Sequence, residues 1–258
     1  MSTTTVHGIH TTLHHALKSV VDQRLLPHNP ADHVEPPKVA HKSMTILNEE
    51  QLDTFLAAVE QAPIWKDFFY TELTTGLRRG EICGLQWEDF DEADGTLKIV
   101  RSVSSRKAGA LEIGETKTNK GRRTISLPDS TAQRLRERKR AAISQWIFPN
   151  PLHPEEPVNP SYAYHRLKTI LKNTGLPSIR FHDLRHTFAT HALAGGVDAK
   201  TLSGILGHTN ASFTLDTYTH VTGDMQKQAA NIVGDFMADI LGEEWKPWQE
   251  SERTAREP

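Results

Sequence analysis

Cysteine is nearly missing from this sequence. A single residue, Cys83, can form neither an internal disulfide nor a thiolate cluster, and reads as a small buried side chain. Long hydrophobic runs are missing too. None approaches the roughly 20 residues that cross a bilayer, and the opening MSTTTVHGIH lacks the basic and apolar regions of a secretory signal. The expectation is a cytoplasmic protein with no membrane partner. Net charge is almost absent at -2, which argues mildly against a nucleic-acid binder. What is present suffices for a packed core: 258 residues with 37% hydrophobic side chains exclude a disordered chain.

The small net charge hides a segregation. From Arg101 to Arg140 there are twelve Lys or Arg against four acids, whereas from Asp224 to Pro258 there are four bases against eight acids. Opposite signs on different parts of one chain fit a basic working face and an acidic tail, and solvated faces would explain either run alone.

Residues 9 to 26 place Ile9, Leu13, Leu17, Val21 and Leu25 on one helical face. The polar PHNPADHVEPPKVAHKS that follows is a proline-rich linker. Asn48 with Gln51 forms a capping box flanked by Leu47 and Leu52, so a main domain begins near residue 45. Helices are expected in DTFLAAVEQA, around FFYTEL, after Gly76 with Arg78, Glu81 and Leu85 along its start, and from about Ser130 to Ala142. Further helices are expected in SYAYHRLKTILKNTG, stopped by Gly175, from Asp183 to Gly195, and in DAKTLSGILG. GTLKIVRSVSS and RRTISLP read as strands with KAGALEIGETKTNKG between them. The pattern predicts a mainly α fold with a small antiparallel β-sheet. Near the carboxyl end, Ile232, Val233, Phe236, Met237 and Ile240 form an apolar stripe.

The chemistry concentrates in FHDLRHTFAT. His182, Arg185 and His186 fall within one helical turn and a half, and so much cationic potential needs a metal or an anion. Zinc would want further Cys or carboxylate ligands, and an arginine would repel it, so the anion is favoured. Three other groups are compact: TGLRRGE with Arg78 and Glu81, TKTNKGRR with Lys117, and LGHTNASFTLDTYTH with His208 and Tyr218. Arginine forks can hold the non-bridging oxygens of a phosphodiester, histidines can move protons, and a lysine can protonate a departing alkoxide. From residue chemistry alone this is one option among several. Tyr218 by itself reads as a packed aromatic, and Glu81 as a partner that orients an arginine.

Taken in order, these boxes resemble the catalytic domain of the tyrosine recombinases, the phage integrase family. TGLRRGEICGLQWEDFD is similar to the family's first arginine box, TKTNKGRRTISL to its lysine-bearing hairpin, and HDLRHTFATHALAGGVDAKTLSGILGH to its second box. LDTYTH places Tyr218 ten residues past His208. The resemblance implies the tyrosine recombinase catalytic-domain fold over residues 45 to 241. It also implies a remnant core-binding helix at 1 to 28, a linker at 29 to 44, and a loosely ordered acidic tail at 242 to 258.

The same resemblance implies catalytic Arg78, Lys117, His182, Arg185, His208 and Tyr218, with Glu81 in support and no metal or cofactor. Double-stranded DNA is the implied partner. Arg101, Arg106, Lys107, Lys120, Arg122, Arg123, Arg134 and Arg138 are expected to contact its phosphates. Site-specific cleavage and rejoining for a phage or other mobile element is the implied activity, with tetramers forming on DNA and a monomer as the isolated chain. Strand relaxation of the type IB topoisomerase kind, or DNA binding without chemistry, are the alternatives.

Overall fold

The computed structural model describes residues 1–39, 45–106, 110–115 and 121–208. Two compact units divide after residue 44. In the first, α1 runs Thr3–Asp22, with the Ser2 hydroxyl capping it by accepting from the Thr5 amide. The helix therefore starts earlier than its apolar stripe and ends before Leu25. Arg24, at φ 59°, turns the chain out of the helix. Beyond it, Asn29 donates to the His14 carbonyl at 3.1 Å, and Asp32 meets the His14 ring at 2.8 Å.

The second unit opens with α2, Glu49–Glu60, and the Asn48–Gln51 capping box is present in both directions. Next come α3, Lys66–Thr75, and the short α4, Arg79–Cys83, which stops before Leu85. The stretch expected as one strand, GTLKIVRSVSS, is two. After the two-residue β1 (Phe90–Asp91), strand β2 (Thr96–Ile99) pairs antiparallel with β1 and with β5 (Arg123–Ser126). Beyond Val100 the chain joins a different sheet, where β3 (Arg101–Ser105) pairs with β4 (Leu111–Glu115). That β4 segment had read only as a connection. Its burial shows why: β4 is exposed along most of its length, so an apolar alternation never had to be written into it.

Helices α5 (Asp129–Arg140), α6 (Pro160–Asn173), α7 (Phe181–Ala194) and α8 (Ala199–Leu206) complete the described unit. Phe55, Phe68, Phe69, Phe148 and Phe181 interlock at its centre, mostly edge to face, with ring centres 5.2 to 6.4 Å apart. Around them pack Leu77, Ile82, Leu97, Ile99 and Leu184. A smaller cluster of Ala189, Leu193, Leu202 and Leu206 fastens α7 to α8. The chain before α2 is pinned on α7 as well, because the Leu47 amide donates to Thr187 and the Leu47 carbonyl meets the His191 ring.

Helix α3 ends at Gly76, whose φ of 59° is left-handed. A Cβ there would lie 2.3 Å from Phe188 Cδ1 and 3.0 Å from Leu206 Cδ2. Only glycine allows α3 to stop this close to α7 and α8. Gly76→Ala is therefore expected to destabilise the fold by about 1–3 kcal/mol from backbone strain alone. A thermal melt should show it as a drop of several degrees, at roughly 2–4 °C per kcal/mol for a domain of this size.

Candidate functional site

Three consecutive backbone carbonyls close α8, and each accepts from a different arginine. Arg123 Nε donates to the Ile205 carbonyl at 2.6 Å, Arg185 Nη2 to Leu206 at 2.7 Å, and Arg78 Nη2 to Gly207 at 2.9 Å. A helix leaves its last carbonyls without intrahelical partners, and its carboxyl end is the negative pole of the helix dipole. Three cations from β5, α7 and the α3–α4 turn satisfy that end here. Gly207, at φ 66°, lets the chain leave α8 without a side chain striking Arg123 Nη1 at 2.9 Å.

Glu81 ties two of these arginines together. Its carboxylate accepts from Arg78 Nη1 at 2.7 Å and from Arg123 Nη2 at 2.9 Å, while its second contact with Arg78 is the backbone amide at 3.0 Å. Burial alone would raise its pKa. The hydrogen bond and charge of Arg123, then those of Arg78, outweigh burial and hold Glu81 below the usual carboxylate range. Sequence reasoning counted Arg123 among the phosphate contacts. Its side chain is only 8% exposed and is committed to Glu81 and α8, so its place is inside the cluster.

Arg185 is buried at 1% exposure and also donates to the Gly76 carbonyl at 2.9 Å. Burial, with Arg78 nearby, pushes its pKa down to about 10, so it remains cationic at neutral pH. Beside it lies a group that sequence analysis did not single out. Glu72 on α3 is wholly buried, and burial raises its pKa well above the carboxylate range, only partly opposed by Arg185. No motif marks it, since the residue stands inside an ordinary helical pattern. Three guanidinium charges against one ionised carboxylate leave the cluster positive. Arg78, whose side chain is 41% exposed, is the member that faces solvent.

The histidines stand at the same place. His182 lies at the second position of α7 and stacks edge to face on His186 with ring centres 4.6 Å apart. Desolvation, then His186 and Arg185, push its pKa down to about 4, even though the residue keeps an exposed edge. Desolvation, then Arg185 and Arg78, bring His208 to about 4 as well. Both rings are neutral at pH 7 and can donate or accept a proton. Among the described residues, no group of three His, Cys, Asp or Glu is arranged to hold a metal ion.

The structure therefore brings together Arg78, Glu81, His182, Arg185 and His208. Lys117 and Tyr218, with Lys107 and Lys120, lie outside the described residues.

Among the described residues of the basic run 101 to 140, most arginines are ion-paired. Arg101 pairs with Glu88 and Asp89, both at 2.5 Å. Arg134 meets Glu60 and Asp67, and Arg138 shares Asp67 at 3.3 Å. Arg106 and Arg122 pair with Glu112 and Glu115 of β4, but keep 65% and 51% of their side chains exposed. Arg101, Arg123, Arg134 and Arg138, expected at the phosphates, are each engaged by acids within the fold. Acids distant in sequence neutralise them, which a count along the chain does not register.

The phage integrase family model matches residues 45–224. The chain is 26% identical to the ICEBs1 integrase of Bacillus subtilis, over 92% of this chain and 67% of that protein. It is 30% identical to a tyrosine recombinase XerC-like protein of Caldanaerobacter subterraneus, over 66% of this chain and 49% of that one. The chain thus spans about half to two thirds of these curated relatives' length. In three dimensions it superposes on the Tn1549 transposon integrase in complex with transposon right end DNA. The TM-score is 0.77 at 22% identity, covering 91% of this chain and 80% of that one, which establishes the shared fold.

Two outcomes follow. Glu81→Gln removes the charge that Arg78 and Arg123 share, and is expected to lower stability by about 3–5 kcal/mol, the range for breaking a buried ion pair; urea denaturation at pH 7 measures it. The depressed imidazoles add stability that is complete above the unfolded pKa of about 6.5 and is lost as pH falls toward about 4. A His182→Gln/His208→Gln chain should therefore lose less stability than the parent between pH 7 and pH 4.5, as read from denaturation midpoints.

Proposed function

Since the chain belongs to the phage integrase family, we propose that it cleaves and rejoins DNA at specific sites through a 3′-phosphotyrosyl intermediate, in the service of a phage or other mobile element. The observation that carries this reading is the arginine cluster: rigidly held, net positive, flanked by two neutral histidines and open to solvent through Arg78. Such a site suits an anion whose charge grows during reaction, as on a phosphorus passing through five-coordination.

In the proposed step the Tyr218 oxygen attacks phosphorus, and the bond to the 5′-oxygen breaks. The phenolic proton leaves toward a neutral imidazole, His182 or His208, while Lys117 protonates the departing 5′-oxygen. Arg78 uses its unengaged donors on the non-bridging oxygens. Arg185 donates to two backbone carbonyls, and acts behind Arg78 as a fixed charge. A 5′-hydroxyl from a partner strand then attacks the phosphotyrosine and releases Tyr218. The phosphodiester bond energy stays in the covalent link, so no nucleotide cofactor is consumed.

Exposed Arg106 and Arg122 on and beside the β3–β4 ribbon, together with Lys107 and Lys120, are the phosphate contacts in this reading, and they set register without reading sequence. The helix α1 and the proline-rich residues after it are proposed as the end of a core-binding region and its linker. Exchange between two duplexes needs four cleavages, so four copies are proposed to assemble on DNA.

Incubation with nicked suicide duplexes carrying the element's end sequences, without added metal, tests the chemistry on a denaturing gel. A protein–DNA adduct is expected for the parent chain and none for Tyr218→Phe, which should still bind. Arg78→Ala should slow adduct formation by about 100- to 1,000-fold, the usual effect of one transition-state donor. Binding by the folded parent chain with no adduct would reduce the protein to a DNA-binding module.

A further inference from the structure

Arg123 makes one contact that its place in the arginine cluster does not explain. The side chain is 8% exposed, too enclosed to grip a phosphate, and its guanidinium donates to three parts of the fold at once. Nε reaches the Ile205 carbonyl at the end of α8 at 2.6 Å. Nη2 and Nη1 reach the two Glu81 oxygens at 2.9 and 3.2 Å. The further contact runs from Nη1 to the Gly121 carbonyl, also at 3.2 Å.

Gly121 lies in the connection between β4 and β5, and Lys117 stands four residues before it in that same connection. The salt bridge at the base of this connection, Glu115 to Arg122 at 2.5 Å, joins side chains that are 78% and 51% exposed. Ion pairs so open to water contribute little. Among the described contacts, the buried tie between the β4–β5 connection and the arginine cluster is the Arg123 guanidinium. A general acid works only within hydrogen-bond reach of the atom it protonates, and a misplacement of about 1 Å can cost roughly 100-fold in rate.

We propose that Arg123 is a positioning residue for the leaving-group step: by holding Gly121, Glu81 and the end of α8 on one guanidinium, it sets the reach of Lys117 to the departing 5′-oxygen. It touches no reacting atom. The inference rests on the phosphotyrosyl reading, in which Lys117 protonates that oxygen, and deepens it by naming what ties the acid to the phosphate site. The role calls for a planar fork. A lysine would bring the same charge to Glu81, but as a point donor it does not reproduce the spread of the guanidinium over three acceptors.

The test uses the full chain and its Arg123→Lys variant on two suicide duplexes that differ only in the bridging 5′ atom at the cleavage site, oxygen in one and sulfur in the other. On both, the Tyr218 oxygen bonds to phosphorus, the bond from phosphorus to the 5′ atom breaks, and the phenolic proton passes to an imidazole. A departing alkoxide takes a proton from Lys117. A thiolate leaves with its electron pair and needs none, because thiols are much the stronger acids. Arg123→Lys is expected to slow adduct formation about 100-fold on the oxygen duplex and to match the parent on the sulfur duplex. Lys117→Ala should show the same pattern, whereas Arg78→Ala should be slow on both. Adding Arg123→Lys to Lys117→Ala should cost nothing further.

Equal slowing on the two duplexes, which a merely structural loss produces, would overturn the proposal. So would no slowing on either, or additive effects in the double variant. Thermal melts establish that each variant is folded at the assay temperature, and Arg123→Gln replaces Arg123→Lys in the same comparison where the lysine variant is not. No adduct from the parent on either duplex would overturn the phosphotyrosyl reading itself, whereas a parent adduct with equal slowing in Arg123→Lys overturns the positioning role alone.

Discussion

Three hydrogen bonds to the carboxyl end of α8, from Arg123, Arg185 and Arg78, hold the site together. A guanidinium is costly to bury without acceptors, and consecutive helix-end carbonyls are acceptors that nothing else in the helix can use. Each bond crosses a large sequence distance, so β5, α7 and the α3–α4 turn are fixed to one point. Left-handed Gly76 and Gly207 are what allow the backbones to meet there. The aromatic core under α3 and α7 supplies the rigidity, and the polar cluster supplies the register.

The charge state of the cluster follows from the same packing. Glu81 and Glu72 are both buried, yet their pKa values are pushed in opposite directions. Glu81 has two arginines at hydrogen-bond distance and stays ionised. Glu72 has the charge of Arg185 to favour ionisation, but no hydrogen bond among the described residues and the charge of Glu81 against it, so desolvation prevails. One counter-charge for three arginines leaves the site electropositive, and that surplus adds to desolvation, the larger effect, in keeping His182 and His208 neutral. The arrangement favours an anion and leaves the imidazoles able to handle protons.

Folding also rewrites the charge map of the chain. Acids from residues 60 to 92 and from β4 come back onto Arg101, Arg106, Arg122, Arg134, Arg138 and Lys139, so the described part of a run that is strongly basic in sequence is largely paired in space. The unbalanced positive charge among the described residues lies at the cluster, where three arginines share the one carboxylate of Glu81. Electrostatic attraction to a phosphate backbone is thereby aimed at the place where chemistry is proposed.

Local features were legible in the sequence because they depend on near neighbours. The Asn48–Gln51 capping box, the turn at Gly76, the glycine stop at Gly175, and the helical spacing of His182, Arg185 and His186 all require interactions within a few residues. The sequence boxes also named Arg78, Glu81, Arg185 and the histidines as one group. Only the tertiary structure decided that β4 forms a ribbon with β3, that Arg123 belongs to Glu81 and α8, and that Glu72 is buried near Arg185 with no hydrogen bond among the described residues. The partners of Arg123 lie tens of residues away, the state of Glu72 depends on burial, and the exposed β4 carries no apolar alternation to announce its pairing. Protonation state and ion pairing are properties of what surrounds a side chain in space, which its position along the chain does not specify.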